Sequence, residues 1–451
     1  MLLRFKCRNF YSIRDEQELS LIATRTRAPE HDETLLDTPL KDVKALRVAA
    51  IFGANASGKS NLLLAMRSFQ AIVLNSWRAW QPTGPIPTWN PFLLDDKSRD
   101  VSTLLEIDFV HNGNVYNYGF EYNQHRFLKE WLIDITGRDR TLFRRTSDEQ
   151  ATSVLFPGRN LPDAKQLDNI TKQTRANSLF LSSAAQSGYQ PLTQIYMWII
   201  QRFNFLTPNE VQEKSYTAEW CSNEQGKNQV RDILVSSGTG IVDFEIAEED
   251  SQAKPLNNYA AFRAARKASS GESLHDLPLP PLSRKKIKMV HRGEGGKLYR
   301  LPFEVESAGT KTLFEMLGPI LVVLSNGLVL LIDELETSLH PNLALYILKM
   351  FNDPHLNRRG AQLIFATHSA SLLDTDLLRR DQIWLAEKTA EGASEFGSLA
   401  GYKPRKGQNL AAAYLNGRFG GVPFIDEEAI AAAVQPQPEL HVSIAAKDRE
   451  A

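Results

Sequence analysis

The 451-residue chain predicts an α/β protein: a mixed, mainly parallel core sheet flanked by helices, an antiparallel β lobe, and an inserted helical subdomain. Three apolar segments predict the core sheet. Residues 46–52 read as a short buried strand that runs through a glycine-rich loop into a helix at 61–67. Residues 328–332 end in Asp333 and Glu334, and residues 361–367 end in His368-Ser369. Near-continuous Val/Ile/Leu runs mark strands buried on both faces, and the ligands of such sheets gather at the strands' carboxyl ends. Composition agrees, at 42% hydrophobic and 23% charged. The formal net charge of -1 excludes a globally basic nucleic-acid coat, though not a local patch. Cys7 and Cys221 are too few for a disulfide framework. The first eight residues carry charges where a signal peptide needs an apolar run. The longest apolar stretch, 317–332, is broken by Ser325-Asn326-Gly327 and falls short of the ~20 residues that span a bilayer. A cytoplasmic protein with no membrane segment is expected.

The first loop, Gly53-Ala54-Asn55-Ala56-Ser57-Gly58-Lys59-Ser60, followed by Asn61, fits G-x-x-x-x-G-K-[ST]. Chance gives on the order of 0.02 such matches in a chain of this length. Strand, glycine loop and helix in that order let backbone N–H groups curl around phosphate oxygens at a helix N-terminus. Lys59 would reach the β- and γ-phosphates of ATP, and the Ser60 hydroxyl would ligate Mg²⁺. Asp333 is the second expected holder of Mg²⁺, and Glu334 the expected general base for the attacking water. His368, a third strand-end polar group, stands where a γ-phosphate sensor would sit.

Two further segments flank the Asp-Glu strand. Glu306-Ser307-Ala308-Gly309-Thr310-Lys311 opens a helical stretch, offering a hydroxyl and bare N–H groups as a second phosphate nest. Leu335-Glu336-Thr337-Ser338-Leu339-His340-Pro341 follows the strand.

With these pieces in this order, the chain resembles the ABC-type ATPases. Ser307-Ala308-Gly309-Thr310 resembles their signature, Ser338-Leu339-His340-Pro341 their D-loop, and His368 their switch histidine. Asn9-Phe10-Tyr11-Ser12-Ile13-Arg14 resembles the start of the RecF/SMC branch, which implies that Tyr11 and Ser12 lie beside the nucleotide. The resemblance covers about residues 1–70 and 285–390. No glutamine has the setting of a Q-loop; Gln70 and Gln81 are the candidates. Five softer segments are similar to the OLD/AbiLi-like ATPases of phage-defence systems. They are Asn90-Pro91-Phe92, Tyr116-Asn117-Tyr118-Gly119-Phe120, Asn177-Ser178-Leu179-Phe180-Leu181-Ser182, Asp381-Gln382-Ile383-Trp384, and the run from Tyr414 to Pro423.

Lys59 and Ser307 stand 248 residues apart, so the core carries a large insertion. It shows no sustained apolar heptads, and Pro157, Pro162, Pro191 and Pro208 exclude one continuous helix. The expected organisation is a first head segment at 1–145 with the antiparallel lobe, a helical insertion at 150–245, a flexible basic linker at 250–283, the second head segment at 284–428, and a disordered tail at 432–451. Within the lobe, Asn112-Gly113 reads as a hairpin turn. Residues 251–300 hold eleven Lys or Arg against three acidic residues. A solvated loop edge and, across 254–300, a nucleic-acid backbone contact both fit. Only 63 residues follow Lys388, too few for the C-terminal Toprim nuclease of some OLD relatives.

The resemblance implies a two-headed machine. Ser307, Gly309 and Thr310 of one copy would close over ATP held by the Walker loop and Ser12 of another, with Ser338 and His340 at the joint. The function expected is a dimeric, nucleotide-gated ATPase in anti-phage defence that controls a separate effector, a Toprim-type nuclease or a toxin. A RecF/SMC-like DNA-repair ATPase is the alternative. A transporter energy module fits least, lacking a clear Q-loop and carrying so large an insertion.

Overall fold

A computed structural model describes residues 1–24, 33–147, 153–158, 161–206, 213–248, 285–373, 377–402, 408–422 and 426–434. Strand β1 (Leu2–Arg8) turns Phe5 and Cys7 into the core and Arg4 and Lys6 outward. That alternation is the two-residue period of a sheet with one covered face. On the outer face Arg4 meets Asp108 at 2.6 Å and Lys6 meets Glu16 at 3.2 Å. Strand β2 (Gln17–Ser20) pairs antiparallel with β1, and β3 (Leu36–Asp37) pairs with β4 (Lys44–Ala45).

Strand β5 (Val48–Gly53) is buried throughout and leads to α1 (Lys59–Asn75). Its alternate side chains enter two separate apolar cores: Ala49 and Ile51 one, Val48, Ala50 and Phe52 the other. Both faces are covered, hence the continuous apolar run.

Strands β6 (Thr103–His111), β7 (Asn114–Tyr122), β8 (Phe127–Asp134), β9 (Arg140–Ser147) and β10 (Ser153–Pro157) follow as an antiparallel meander. They join the first two strands in a seven-stranded sheet of order β10-β9-β8-β7-β6-β1-β2. Asn112 and Gly113 take φ of 48° and 76°, the paired left-handed residues of a two-residue hairpin. The antiparallel lobe thus reaches Pro157, beyond the 145 boundary expected.

Helices α2 (Ala164–Gln173), α3 (Phe180–Gln186) and α4 (Gln190–Arg202) pack between this sheet and α1. A buried carboxylate fixes them there. Glu130 of β8 accepts the Phe180 and Leu181 N–H groups at 2.6 and 2.9 Å, and the Tyr118 hydroxyl at 3.0 Å. Arg145 lies 3.6 Å from it and donates to the Ser178 carbonyl at 2.6 Å. The Ser178 hydroxyl in turn donates to the Ser76 carbonyl at the end of α1.

The span 150–245 is not the single helical insertion expected. Strand β10 belongs to the lobe. Strand β11 (Phe203–Leu206) runs parallel to β15 (Val329–Ile332) in the core sheet. After α5 (Glu213–Trp220) and α6 (Glu224–Ser236), β12 (Ile241–Glu248) opens a third sheet, of order β12-β13-β14, with β13 (Lys285–Arg292) and β14 (Leu298–Pro302). A four-residue strand pairing with partners more than a hundred residues away has no local signal beyond its apolar end residues.

The core sheet has order β11-β15-β16-β5-β17-β18, with β16 (Gln362–Thr367), β17 (Ile383–Lys388) and β18 (Ser394–Ser398). Only β18 runs antiparallel to its neighbour. Helices Ala308–Asn326 and Pro341–Asn352 cover one face. The helix Ala308–Asn326 is long and apolar enough to cross a membrane, but its inward side chains are packed into the core. Pro319 offers no N–H to the Glu315 carbonyl, and the Thr217 hydroxyl of α5 fills the break, lying 3.1 Å from that carbonyl and 2.7 Å from the Phe314 carbonyl while accepting the Gly318 N–H at 2.9 Å. Helices Leu410–Leu415 and Glu427–Val434 close the described chain. The latter runs three residues into the tail expected from 432; residues 435–451 and the linker 250–283 lie outside the described residues.

Candidate functional site

Strands β5, β15 and β16 are parallel neighbours, so their carboxyl ends deliver Gly53, Asp333 and His368 to one edge of the sheet. The loop from Gly53 to Ser60 lies there. Ala56 and Gly58 take φ of 63° and 105°, the left-handed turns that curl the backbone into the start of α1. No acidic side chain occupies the first turn of α1, and no side chain caps Gly58, so the first N–H groups face outward with the positive end of the helix dipole. Gly53 is needed for space: a Cβ there would stand 2.6 Å from the Ala386 carbonyl oxygen and 2.7 Å from Ser57 Oγ.

Lys59 folds its side chain along the loop, its ammonium donating to the Gly53 and Ala54 carbonyls at 2.7 and 2.9 Å. Burial lowers its pKa, while Asp333, Glu336 and Glu334 pull it back up. Asp333 shows the converse. Burial pushes its carboxyl above the ordinary range, and the neighbouring Ser60 hydroxyl and Lys59 ammonium work against that push. Its Oδ1 is buried without a hydrogen-bond partner among the described residues. An orphaned carboxylate oxygen beside a serine hydroxyl at a helix N-terminus is a fitting donor set for Mg²⁺, which takes one or two protein oxygens and completes its shell with phosphate and water. No cluster of three or more acidic, histidine or cysteine side chains suited to a metal exists among the described residues.

After Asp333 the backbone turns sharply, Glu334 at φ 56° and Ser338 at φ 61°. Glu334 is exposed at the tip, its carboxylate accepting the Thr337 hydroxyl at 3.1 Å. His340 caps the next helix, Nδ1 accepting the Asn342 N–H at 3.2 Å. His368 follows β16 with a half-exposed ring, and its Nδ1 lies 3.1 Å from Glu336 Oε1.

Ser307 caps the helix Ala308–Asn326: its Oγ accepts the Thr310 N–H at 3.1 Å and lies 2.8 Å from the Thr310 hydroxyl. Gly309 is pressed against the turn after β15, where a Cβ would stand 2.8 Å from the Ser338 carbonyl oxygen. Among the described residues the side-chain hydrogen bonds of Ser307 and Thr310 join the two to each other, not to the loop 53–60. Ser12 does reach α1: its hydroxyl accepts from Asn61 Nδ2 at 2.7 Å and lies 2.7 Å from Ser394 Oγ.

The Q-loop candidates fall elsewhere. Gln70 points away from the strand ends, its amide donating to the Ile200 and Phe203 carbonyls at 3.0 and 3.1 Å where α4 passes into β11. Gln81 is exposed, and its backbone carbonyl accepts the Asn177 side-chain amide at 2.8 Å and the Gly84 N–H at 3.3 Å. Strand β11 reaches the same sheet edge, with Leu206 in register with Ile332.

Sequence reasoning gave no role to three neighbours of the site. Glu336 carried a signal, as the third carboxylate in Asp333-Glu334-Leu335-Glu336. Ser394 carried none, because only the β17–β18 hairpin brings it to Ser12. The run from Tyr414 was singled out without a role. Here the Tyr414 hydroxyl donates to the Gly421 carbonyl at 2.9 Å, and a Cβ on Gly421 would stand 3.6 Å from the Gly53 Cα.

A family model described as "AAA domain, putative AbiEii toxin, Type IV TA system" matches residues 48–374. No curated protein matches the chain. Among solved structures, the crystal structure of the SmcHead bound to the C-winged helix domain of ScpA is similar at 13% identity, over 89% of this chain and 99% of that chain, with a TM-score of 0.34.

Proposed function

The chain belongs to the family of AAA domains described as putative AbiEii toxin, Type IV TA system, and from that premise we propose a dimeric, nucleotide-gated ATPase. One observation carries the reading: the Lys59 ammonium, the Ser60 hydroxyl and the orphaned Asp333 Oδ1 converge at the start of α1. Bare N–H groups of the loop 53–60 and Lys59 hold the triphosphate. Ser60 and Asp333 would hold Mg²⁺, which supplies charge neutralisation on the phosphate oxygens. Glu334 takes the proton of the attacking water, and His368 contacts the γ-phosphate. Ser12 lies beside Asn61 at the nucleotide.

The signature residues Ser307, Gly309 and Thr310 act on the ATP of a second copy, with Ser338 and His340 at the joint. Binding then closes a two-fold pair of heads, and loss of the γ-phosphate loosens it. We infer a cytoplasmic role in anti-phage defence in which this cycle controls a separate effector protein, a nuclease or toxin. The test is complementation. Lys59→Ala and Ser307→Arg are each expected to abolish ATP turnover, and mixing the two is expected to restore it, since one composite site then holds an intact loop and an intact signature. No recovery on mixing removes the shared-site reading.

A DNA-repair role is the second reading. Lys286, Lys288, Arg292 and Lys297 stand exposed on β13 and the turn after it, without carboxylate partners among the described residues, which supports a backbone contact. Arg300 is paired with Glu245 at 2.7 Å and Lys285 with Glu219 at 3.1 Å, which subtracts from it. Residues 254–284 of the basic stretch lie outside the described residues. Filter binding to DNA across a salt series decides: no salt-dependent affinity removes this role.

A further inference from the structure

Glu336 has no assigned part in the reaction, yet it is the residue most closely tied to the strand-end histidine. The left-handed turn at Glu334 sends Leu335 into the core, where its N–H donates to the Ala366 carbonyl of β16 at 3.3 Å. The next side chain is thereby turned back across the end of β16. One oxygen, Oε1, accepts the His368 backbone N–H at 2.8 Å and lies 3.1 Å from ring Nδ1. The glutamate side chain is only 13% exposed, the histidine 51%. The second oxygen, Oε2, is buried without a hydrogen-bond partner among the described residues. Both Lys59 and Asp333 feel the charge of this carboxylate.

We propose that Glu336 is a positioning residue that acts through His368, holding its backbone and ring so that Nε2 is the nitrogen offered to a phosphate oxygen. The inference rests on the ATPase reading above. A carboxylate oxygen this close to Nδ1 favours the tautomer that turns an N–H toward it and narrows the ring's orientations, as outer carboxylates orient metal-binding imidazoles. An Ala at 336 frees the ring and leaves the His368 N–H unpaired. A Gln keeps an oxygen acceptor for both N–H groups and removes the charge.

The experiment measures kcat and KM for ATP, and binding of AMP-PNP with Mg²⁺, in Glu336→Ala, Glu336→Gln, His368→Ala and Glu336→Ala/His368→Ala. Glu336→Ala is expected to lower kcat roughly tenfold or more, with AMP-PNP affinity within about twofold of wild type. Glu336→Gln is expected to recover part of the loss and, being isosteric, checks that the Ala effect is not misfolding. The double variant is expected to be no slower than His368→Ala. A full multiplicative loss in the double variant overturns the proposal, because Glu336 would then act independently of the histidine. So does an unchanged kcat in Glu336→Ala. Lys59→Ala separates the two levels: turnover surviving that change sinks the ATPase reading itself, whereas turnover lost in Lys59→Ala but kept in Glu336→Ala sinks only this inference.

Discussion

The hydroxyls of Ser12 and Ser394 meet at 2.7 Å across 382 residues of sequence, and Gly58 is wedged between them and the start of α1. Ser394 also donates its backbone N–H to the Ser12 carbonyl at 2.7 Å. The N-terminal loop and the last strand of the core sheet therefore jointly seal one side of the phosphate loop at the start of α1.

Gly58→Ala tests that seal. At φ 105° an L side chain is strained, and its Cβ would collide with Ser394 Oγ and press on Ser12 Oγ. Left-handed backbone alone costs about 1–2 kcal/mol, and the collision adds to it. A lower Tm and a weakened affinity for Mg-ATP are expected together. Calorimetry and equilibrium nucleotide binding check this, and wild-type affinity at a lowered Tm would detach the wedge from the site.

Asp333→Asn separates stability from function. Burial, the dominant influence, raises the Asp333 carboxyl in the folded chain. A carboxyl whose folded pKa exceeds its unfolded value of about 3.9 stabilises the fold below that value, and the contribution is lost as pH rises through the folded pKa. At pH 7, well above the unfolded value, the buried carboxyl is therefore a net strain on the free protein. Asn in its place is expected to raise Tm at pH 7 while eliminating Mg-dependent turnover, with the Tm gain shrinking as pH is lowered. Thermal melts across pH measure it; a Tm decrease at pH 7 contradicts the argument.

Gln70→Leu distinguishes a helix clamp from a catalytic glutamine. The Gln70 amide satisfies carbonyls at the end of α4, so its loss is expected to destabilise by about 1–3 kcal/mol. Turnover per folded molecule is expected to stay at the wild-type level. A large fall in kcat at unchanged stability would return Gln70 to the site.

The strand-end segments proposed to face the nucleotide were readable as strand, glycine loop and helix because they are local. A glycine loop between strand and helix, and a strand ending in Asp333-Glu334, carry their chemistry within eight residues, and apolar runs buried on both faces announce the parallel sheet. The hairpin at Asn112-Gly113 was readable for the same reason, since only residues tolerant of positive φ make that turn. What lay beyond reach depends on closure between distant segments. The four-residue β11 becomes part of the core sheet only through its pairing with β15, which moves the helical stretch before it into the space between lobe and α1. Ser394 comes to Ser12, and Glu336 to His368, only once the sheet order and the turn at Glu334 are set. Hydrophobic period and turn chemistry act over a few residues, whereas the partner of a buried polar group is chosen by the packing of the whole domain.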